Sequence, residues 1–267
     1  MILITMINFF RRTRKKMADD NKPMQYMRYA VGEIVLVVFG ILIALQINNW
    51  NEGRKQRQVE LKYFYNLKND LLADDQRLDA MIDLSSAKVK AAQTVKIKAD
   101  RDSISSLYDF SNEMQTLIFV DEFRPNDNTY EEMKSSGNFS TIGNDDLKLK
   151  LMNLKKTYLV LAGVHQHMRY DYNVFLEDFE QYVDWGKYYD LKKSTIPKLD
   201  FKYDSIYIES HKEIMAQEIH ELYKNKVFLN NIFLLEINYT YIIDLFNNTK
   251  TQILEITDIL DSEVEKK

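Results

Sequence analysis

Ala30 to Ile47 reads AVGEIVLVVFGILIALQI, and within it only Glu33 and Gln46 are strongly polar. As a helix this run rises roughly 27 Å, close to the ~30 Å hydrocarbon thickness of a bilayer. A transmembrane helix is therefore expected over residues 29–50. Ahead of it stand Arg11, Arg12, Arg14, Lys15, Lys16, Lys22 and Arg28 against Asp19 and Asp20, so residues 1–28 carry +5. Behind it, residues 51–267 hold 29 basic and 37 acidic side chains, or −8, which with Glu33 gives the net charge of −4. A basic flank before an apolar span stays in the cytoplasm. The reading thus gives a basic cytoplasmic segment (1–28), a signal-anchor helix (29–50) and a domain across the membrane (51–267), periplasmic in a two-membrane bacterium.

The span is expected to remain uncleaved. Its apolar run is longer than a secretory signal core, and Asn48-Asn49-Trp50-Asn51-Glu52 offers no small-residue cleavage site. Met6-Ile-Asn-Phe-Phe-Arg is as good a beginning as Met1. The basic cluster reads as a topology signal touching anionic headgroups, and the acidic domain argues against nucleic acid as a partner. The bilayer is the first partner expected.

With no cysteine, disulfides and thiolate metal sites are excluded. Three prolines and seven glycines in 267 residues argue against a turn-rich all-β domain and for long helices. Pro23, Pro125 and Pro197 fall between periodic segments. From Arg54 to about Lys98 the chain is polar with recurring Leu61, Phe64, Leu67, Leu71, Leu78, Met81 and Ile82. The membrane helix is expected to run on into this stalk, with Gly53 its one weak point. Short helices are expected over Ser106–Ile118 and Thr129–Ser136, the second opened by the capping box Thr129-x-x-Glu132 and closed by Gly137.

Two longer stripes follow. Steps of four and three from Leu147 give Leu151, Leu154, Tyr158, Leu161, His165, Met168, Tyr172, Phe175, Phe179 and Tyr182, with Asn144 as cap. The same steps from Phe228 give Ile232, Leu235, Tyr239, Ile242, Phe246, Thr249, Ile253, Ile256 and Leu260. A shorter helix from the capping box Ser210-His-Lys-Glu213 to Lys224 precedes the second stripe. Gly186–Ser205 reads as a loop, with a brief extended piece at Phe201–Ile208. The fold class is all-α: one transmembrane helix followed by an elongated antiparallel helical bundle. Stripes rich in Tyr and Phe argue against an intermolecular coiled coil.

The runs Met6-Ile-Asn-Phe-Phe-Arg11 and Tyr29-Ala-Val-Gly-Glu-Ile-Val-Leu-Val-Val-Phe-Gly-Ile-Leu-Ile-Ala-Leu-Gln-Ile-Asn-Asn-Trp-Asn-Glu52 resemble the opening of a bacterial membrane-protein family of unknown function, domain-of-unknown-function family 6090. Thr129-Tyr-Glu-Glu-Met-Lys-Ser-Ser-Gly-Asn138 resembles a further element of that family. The resemblance implies a single-span membrane protein and carries over no catalytic residue.

Candidate residues divide between structural and functional readings. Glu33 either reaches headgroups, Arg28 or Lys22, or faces a second helix in the membrane. Gly32, Gly40 and Ala44 share an i+4 ridge beside it, and Gly40-x-x-x-Ala44 permits close helix approach. Trp50 reads as an interfacial anchor. His165, on a stripe position, reads first as a hydrogen-bonded core residue. His167 and Asp171 have the i, i+4 spacing of two metal ligands but lack a third, with His211 and His220 distant in sequence. Asp74-Asp75 and Glu131-Glu132 read as solvated faces. No G-x-S-x-G, P-loop, G-x-G-x-x-G or H-E-x-x-H pattern occurs, so no enzyme activity, cofactor or metal is expected.

Two functions remain open from sequence. One is a non-enzymatic, membrane-anchored protein presenting a periplasmic helical domain for interaction or scaffolding, with a protein partner or self-association through the membrane helix or the bundle. The other is a sensory domain binding a small ligand between bundle helices and signalling laterally. A polar interhelical pocket would favour the sensor, and a dry core with an exposed apolar patch the scaffold.

Overall fold

Proline opens the first element at 23, and no further proline interrupts the chain until 125. The computed structural model describes residues 23–104, 106–184 and 205–266. Residues 1–22 of the basic segment, Pro197 and residues 186–204 of the expected Gly186–Ser205 loop lie outside these residues, and Ser205 is helical. Six α-helices occur among the described residues: α1 (Pro23–Asp100), α2 (Leu107–Ile118), α3 (Asn128–Ser135), α4 (Asp145–Phe179), α5 (Ser205–Lys224) and α6 (Lys226–Glu265). A 3₁₀ turn, Asn138–Thr141, follows α3. The chain divides into two compact units, Met1–Leu61 and Lys62–Lys267.

The first unit, in its described part, is the leading stretch of α1. Proline stands at its first helical position, where a missing N–H costs nothing. The helix runs through Gly53 without a break. Its apolar window is long and apolar enough to cross a membrane, and none of that window is buried.

The second unit is a helical bundle. Climbing α4 descends α6: Lys150 Nζ meets Glu255 at 2.6 Å, Thr157 Oγ1 meets Gln252 Nε2 at 3.0 Å, and Asn238 Nδ2 donates to Asp171 at 2.8 Å. Climbing α1 also descends α6, through Lys68–Asp261 at 2.5 Å, Asp75–Lys250 at 2.8 Å and Lys96–Glu236 at 2.7 Å. So α6 is antiparallel to both neighbours, and α1 and α4 run parallel. A parallel pair needs a return path, which residues 107–127 provide. This segment, here called the strap, comprises α2 and an extended run, and it lies antiparallel along α1. Successive contacts pair Lys98 with Glu113, Lys88 with Leu117, Arg77 with Asp121 and Asp74 with Asn126.

The stripes read from sequence are the core. On α4, Leu147, Leu151, Leu154, Tyr158, Leu161, Met168, Phe175 and Phe179 are buried, while His165 and Tyr172 are half-buried. On α6 every stripe position is buried except Tyr239, which is half-buried. Toward the α5 end, Ala92 and Val95, Met114 and Leu117, Met215 and Leu222 join Phe175, Phe179 and Phe228 in one cluster. The Phe175 and Phe179 rings stack with centroids 5.9 Å apart. Each fully buried phenylalanine contributes about 1.5–3 kcal/mol by leaving water.

Element boundaries follow the caps, with three departures from the sequence expectation. Asn144 caps α4 by accepting the Leu147 N–H at 3.0 Å, and Asn225 caps α6 by accepting from Val227 at 2.8 Å. Gly137, at φ 79°, ends the turn after α3 in the left-handed region that glycine tolerates. α1 ends in a Schellman motif: Ser103 N–H reaches Lys98 C=O at 3.0 Å and Asp102 N–H reaches Ala99 C=O at 3.1 Å, with Asp102 at φ 48°. The first departure is at Thr129, which lies inside α3 rather than capping it, and its N–H goes to Asp70 of α1 at 3.1 Å instead of to Glu132. The second is at Ser210, which is internal to a helix already begun at Ser205. The third is that residues 205–208 are helical, not extended; the other half of that expected piece lies outside the described residues.

Candidate functional site

Three polar residues interrupt an otherwise apolar line on α1. Steps of three and four run Phe64, Leu67, Leu71, Asp74, Leu78, Met81, Ser85, Lys88, Ala92, Val95, and all ten positions are buried. Asp74 is 3% exposed and Lys88 1%. Burying either ion is costly unless it is paired or hydrogen-bonded. Both find their partners on the strap.

At the Asp74 end the strap supplies donors. Asn126 donates its backbone N–H to Asp74 Oδ1 at 2.8 Å, and from α4 the Tyr158 hydroxyl donates to Oδ2 at 2.6 Å. One turn earlier, Asp70 accepts the Asn126 side-chain amide at 2.8 Å and the Thr129 N–H at the start of α3. A carboxylate is favourable there because the first N–H groups of a helix point outward unsatisfied. Burial raises the Asp74 pKa, the Tyr158 and Asn126 hydrogen bonds oppose it, and the Asp70 and Asp127 charges add to it. Burial also raises the Tyr158 pKa, reinforced by Asp74, so this hydroxyl keeps its proton. The Asp74-Asp75 pair is therefore not a solvated face: Asp74 is in the core and Asp75 is paired with Lys250. Glu131 and Glu132 are exposed but engaged, with Lys155 at 2.7 Å and the Tyr63 hydroxyl at 3.1 Å.

At the Lys88 end the strap supplies acceptors. Lys88 Nζ donates to Leu117 C=O at 3.2 Å and to Phe119 C=O, and lies 4.6 Å from the centre of the Tyr239 ring. Tyr172 donates its hydroxyl to Ile118 C=O at 2.8 Å. Together they satisfy the carbonyls at the end of α2, where the helix dipole favours a cation. The nearby carboxylate, Asp121, is held by Arg77, whose Nη2 lies 2.7 Å from both of its oxygens. Burial pulls the Lys88 pKa down to about 7, opposed by Asp121.

His165 proves to be a satisfied core histidine: its Nε2 accepts the Phe123 N–H at 3.4 Å and its ring packs 6.0 Å from Phe246. Burial lowers its pKa, which keeps it neutral and able to accept. His167 lies 3.5 Å from Asp171 as a simple pair, and His220 meets Asp102 at 2.6 Å. No group of three or more candidate metal ligands occurs among the described residues.

In the first unit, a Cβ added at Gly32 or Gly40 would meet nothing within 4 Å, and Ala44 is exposed. Glu33 is half-buried. Trp50 is exposed with the Arg54 guanidinium 5.6 Å from its ring centre. The close-approach positions on this helix thus border open space.

Sequence reasoning missed Asp70, Asp74, Tyr158 as a hydrogen-bond donor, and Lys88. The signal was present: extending the stalk spacing without skipping polar residues lands on Asp74, Ser85 and Lys88. The 129–138 segment also acquires a physical role. Met133 is in the core, the Thr129 N–H meets Asp70, Glu132 accepts from Tyr63, and Asn138 donates to the Tyr63 hydroxyl at 3.3 Å. It fastens the end of the strap to α1.

No curated protein and no solved structure matches this chain. A model of a family of unknown function matches residues 33–209, a range that runs from the apolar helix through the strap and α4 into α5. The chain therefore belongs to the family of unknown function DUF6090.

Proposed function

We propose that this is a single-pass membrane protein of the bacterial envelope, its amino terminus cytoplasmic and its bundle periplasmic, and that the bundle serves interaction or scaffolding without catalysis. The observation that carries this reading is the contrast between a filled interior and an apolar exterior. Two interhelical cavities border the strap. One, between Leu67, Leu71, Leu151 and Tyr158, holds about 20 Å³, and the other, between Glu122, His165, Tyr172 and Tyr239, about 30 Å³. Both are water-sized rather than ligand-sized. Meanwhile Met152, Leu159 and Tyr170 recur at helical spacing on the face of α4 opposite its core stripe, and all are exposed. Leu234, Ile237 and Tyr241 repeat the pattern on α6.

The sensor reading retains one supporting feature, an open groove of about 410 Å³ lined by Lys150, Asn153, Lys156, Thr157, Gln252 and Glu255. It lies between α4 and α6 with Ile256 at its floor, but it is open to solvent, a poor enclosure for a small ligand.

The test is in-cell crosslinking and purification of the tagged full-length protein from its own membrane, alongside Leu159→Glu and Tyr170→Glu. These surface changes should leave the bundle folded and remove specific crosslinked products. If both variants keep every product of the parent, the α4 face is not the interaction surface. Small-molecule-dependent stabilisation of the bundle, abolished by Lys156→Glu, would favour the sensor instead.

A further inference from the structure

We propose that the strap is a proton-responsive latch: proton uptake by Lys88 favours lifting residues 107–127 away from α1, and proton loss seats them. The argument begins with the partners of the lysine. Its Nζ meets two backbone carbonyls of the strap and one aromatic ring, and none of the described carboxylates lies within ion-pair distance of it. Carbonyls and a ring accept from an ammonium but do not neutralise it, so the seated strap holds a buried charge with no carboxylate in contact, and only Asp121 nearby, itself tied to Arg77, offsets it. Lifting the strap opens Lys88 to water and removes that penalty. By linkage, the opened form then binds the proton more tightly than the seated form, and acidification drives opening.

The surrounding groups leave this sign intact above neutral pH. On the strap itself, Asp121 favours the charged lysine and is tied to Arg77 of α1. On α4, burial lowers the His165 pKa from an ordinary 6.5, so its ring stays neutral above pH 7. Tyr172 on α4 and Tyr239 on α6 have pKa values raised by burial from 10.0 and stay protonated. Glu122, paired with Arg169 at 3.0 Å, borders the same cavity. Farther along α1, the raised pKa of Asp74 acts with the opposite sign, since protonating it relieves its burial.

A window from pH 9 to pH 7 isolates Lys88. A seated-state pKa of about 7 against 10.5 when exposed predicts an opening constant about 50-fold larger at pH 7 than at pH 9. The readout is hydrogen exchange of the full-length protein in lipid nanodiscs, corrected for intrinsic exchange. Amides of residues 113–124 are compared with those of 253–260 in α6. Exposure of the strap relative to α6 should rise steeply on acidification. Lys88→Gln, which keeps a neutral donor for the same carbonyls, should flatten the response, and Lys88→Arg should hold the strap open at both pH values.

Three outcomes overturn the proposal. One is a strap whose protection relative to α6 does not change with pH. Another is a change shared equally by α6, which would mean that Lys88 is exposed only by global unfolding. The third is a Lys88→Gln protein with the parent's pH response. Should neither variant fold, the comparison of strap with α6 in the unaltered protein decides the question.

Discussion

Asp74 and Lys88 stand fourteen positions apart on one buried line of α1, and each holds the strap by the opposite pole of its backbone. Asp74 accepts an N–H from Asn126, whereas Lys88 donates to the carbonyls of Leu117 and Phe119. The arrangement follows from the strap's local structure. Its helix α2 ends near Lys88, exposing carbonyls, and the run that leads into α3 turns the Asn126 N–H toward Asp74. Two ionisable groups that would each be costly unpaired in an apolar core thereby fix the register of the returning segment.

Replacing Asp74 tests this directly. Asp74→Ala leaves the Tyr158 hydroxyl and the Asn126 N–H buried without an acceptor and should cost about 2–3 kcal/mol in urea unfolding. Asp74→Asn keeps an acceptor without the charge and should be close to neutral at pH 7. Because the folded pKa of Asp74 is raised, its contribution is full below 3.8 and declines as pH rises through the folded value. The parent should therefore gain stability relative to Asp74→Asn on acidification. A parent-minus-Asn difference that is flat with pH would remove Asp74 from the list of titrating groups.

The core assignment is tested by contrast along one helix. Leu161 is 1% exposed and Leu159, two positions earlier, 65%. Leu161→Asp and Ile242→Asp should each cost more than about 4 kcal/mol, enough to abolish a cooperative melt, because each buries an unpaired carboxylate. Leu159→Asp should melt within about 0.5 kcal/mol of the parent. Circular dichroism on purified full-length protein distinguishes the three.

Asn225→Ala removes the acceptor that satisfies the Val227 and Phe228 N–H groups at the junction of α5 and α6. A loss of about 1 kcal/mol is expected. Hydrogen exchange should localise it to the first turn of α6, and a loss spread evenly over the bundle would contradict the cap assignment.

The proposed membrane helix carries a separate prediction. Alkaline phosphatase fused after Lys267 should be active, as expected for a periplasmic carboxyl terminus; an active cytoplasmic reporter at the same place would reverse the orientation. Gly40→Ile should insert normally yet lose in-membrane crosslinks, since it fills the Gly40-x-x-x-Ala44 approach site while keeping the segment apolar. If insertion and crosslinks both persist, that helix is a tether only.

The apolar run at 30–47, the stripes beginning at Leu147 and Phe228, and the cap at Asn144 were all legible in the sequence. Each depends on side chains within a few residues of one another, where helical geometry alone decides which face they share. The capping boxes at Thr129 and Ser210 misled for the complementary reason. A capping box is local, and a distant group can displace it, as Asp70 takes the Thr129 N–H that the Glu132 side chain would otherwise accept. The same holds for Lys88 and Asp74: hydropathy assigns both to the surface, and the strap's carbonyls and N–H groups, with Tyr158 and Tyr239, make their burial tolerable. Sequence spacing determined which positions face inward. Which polar residues occupy those positions, and what holds them there, was decided by a segment that returns along α1 only in the folded chain.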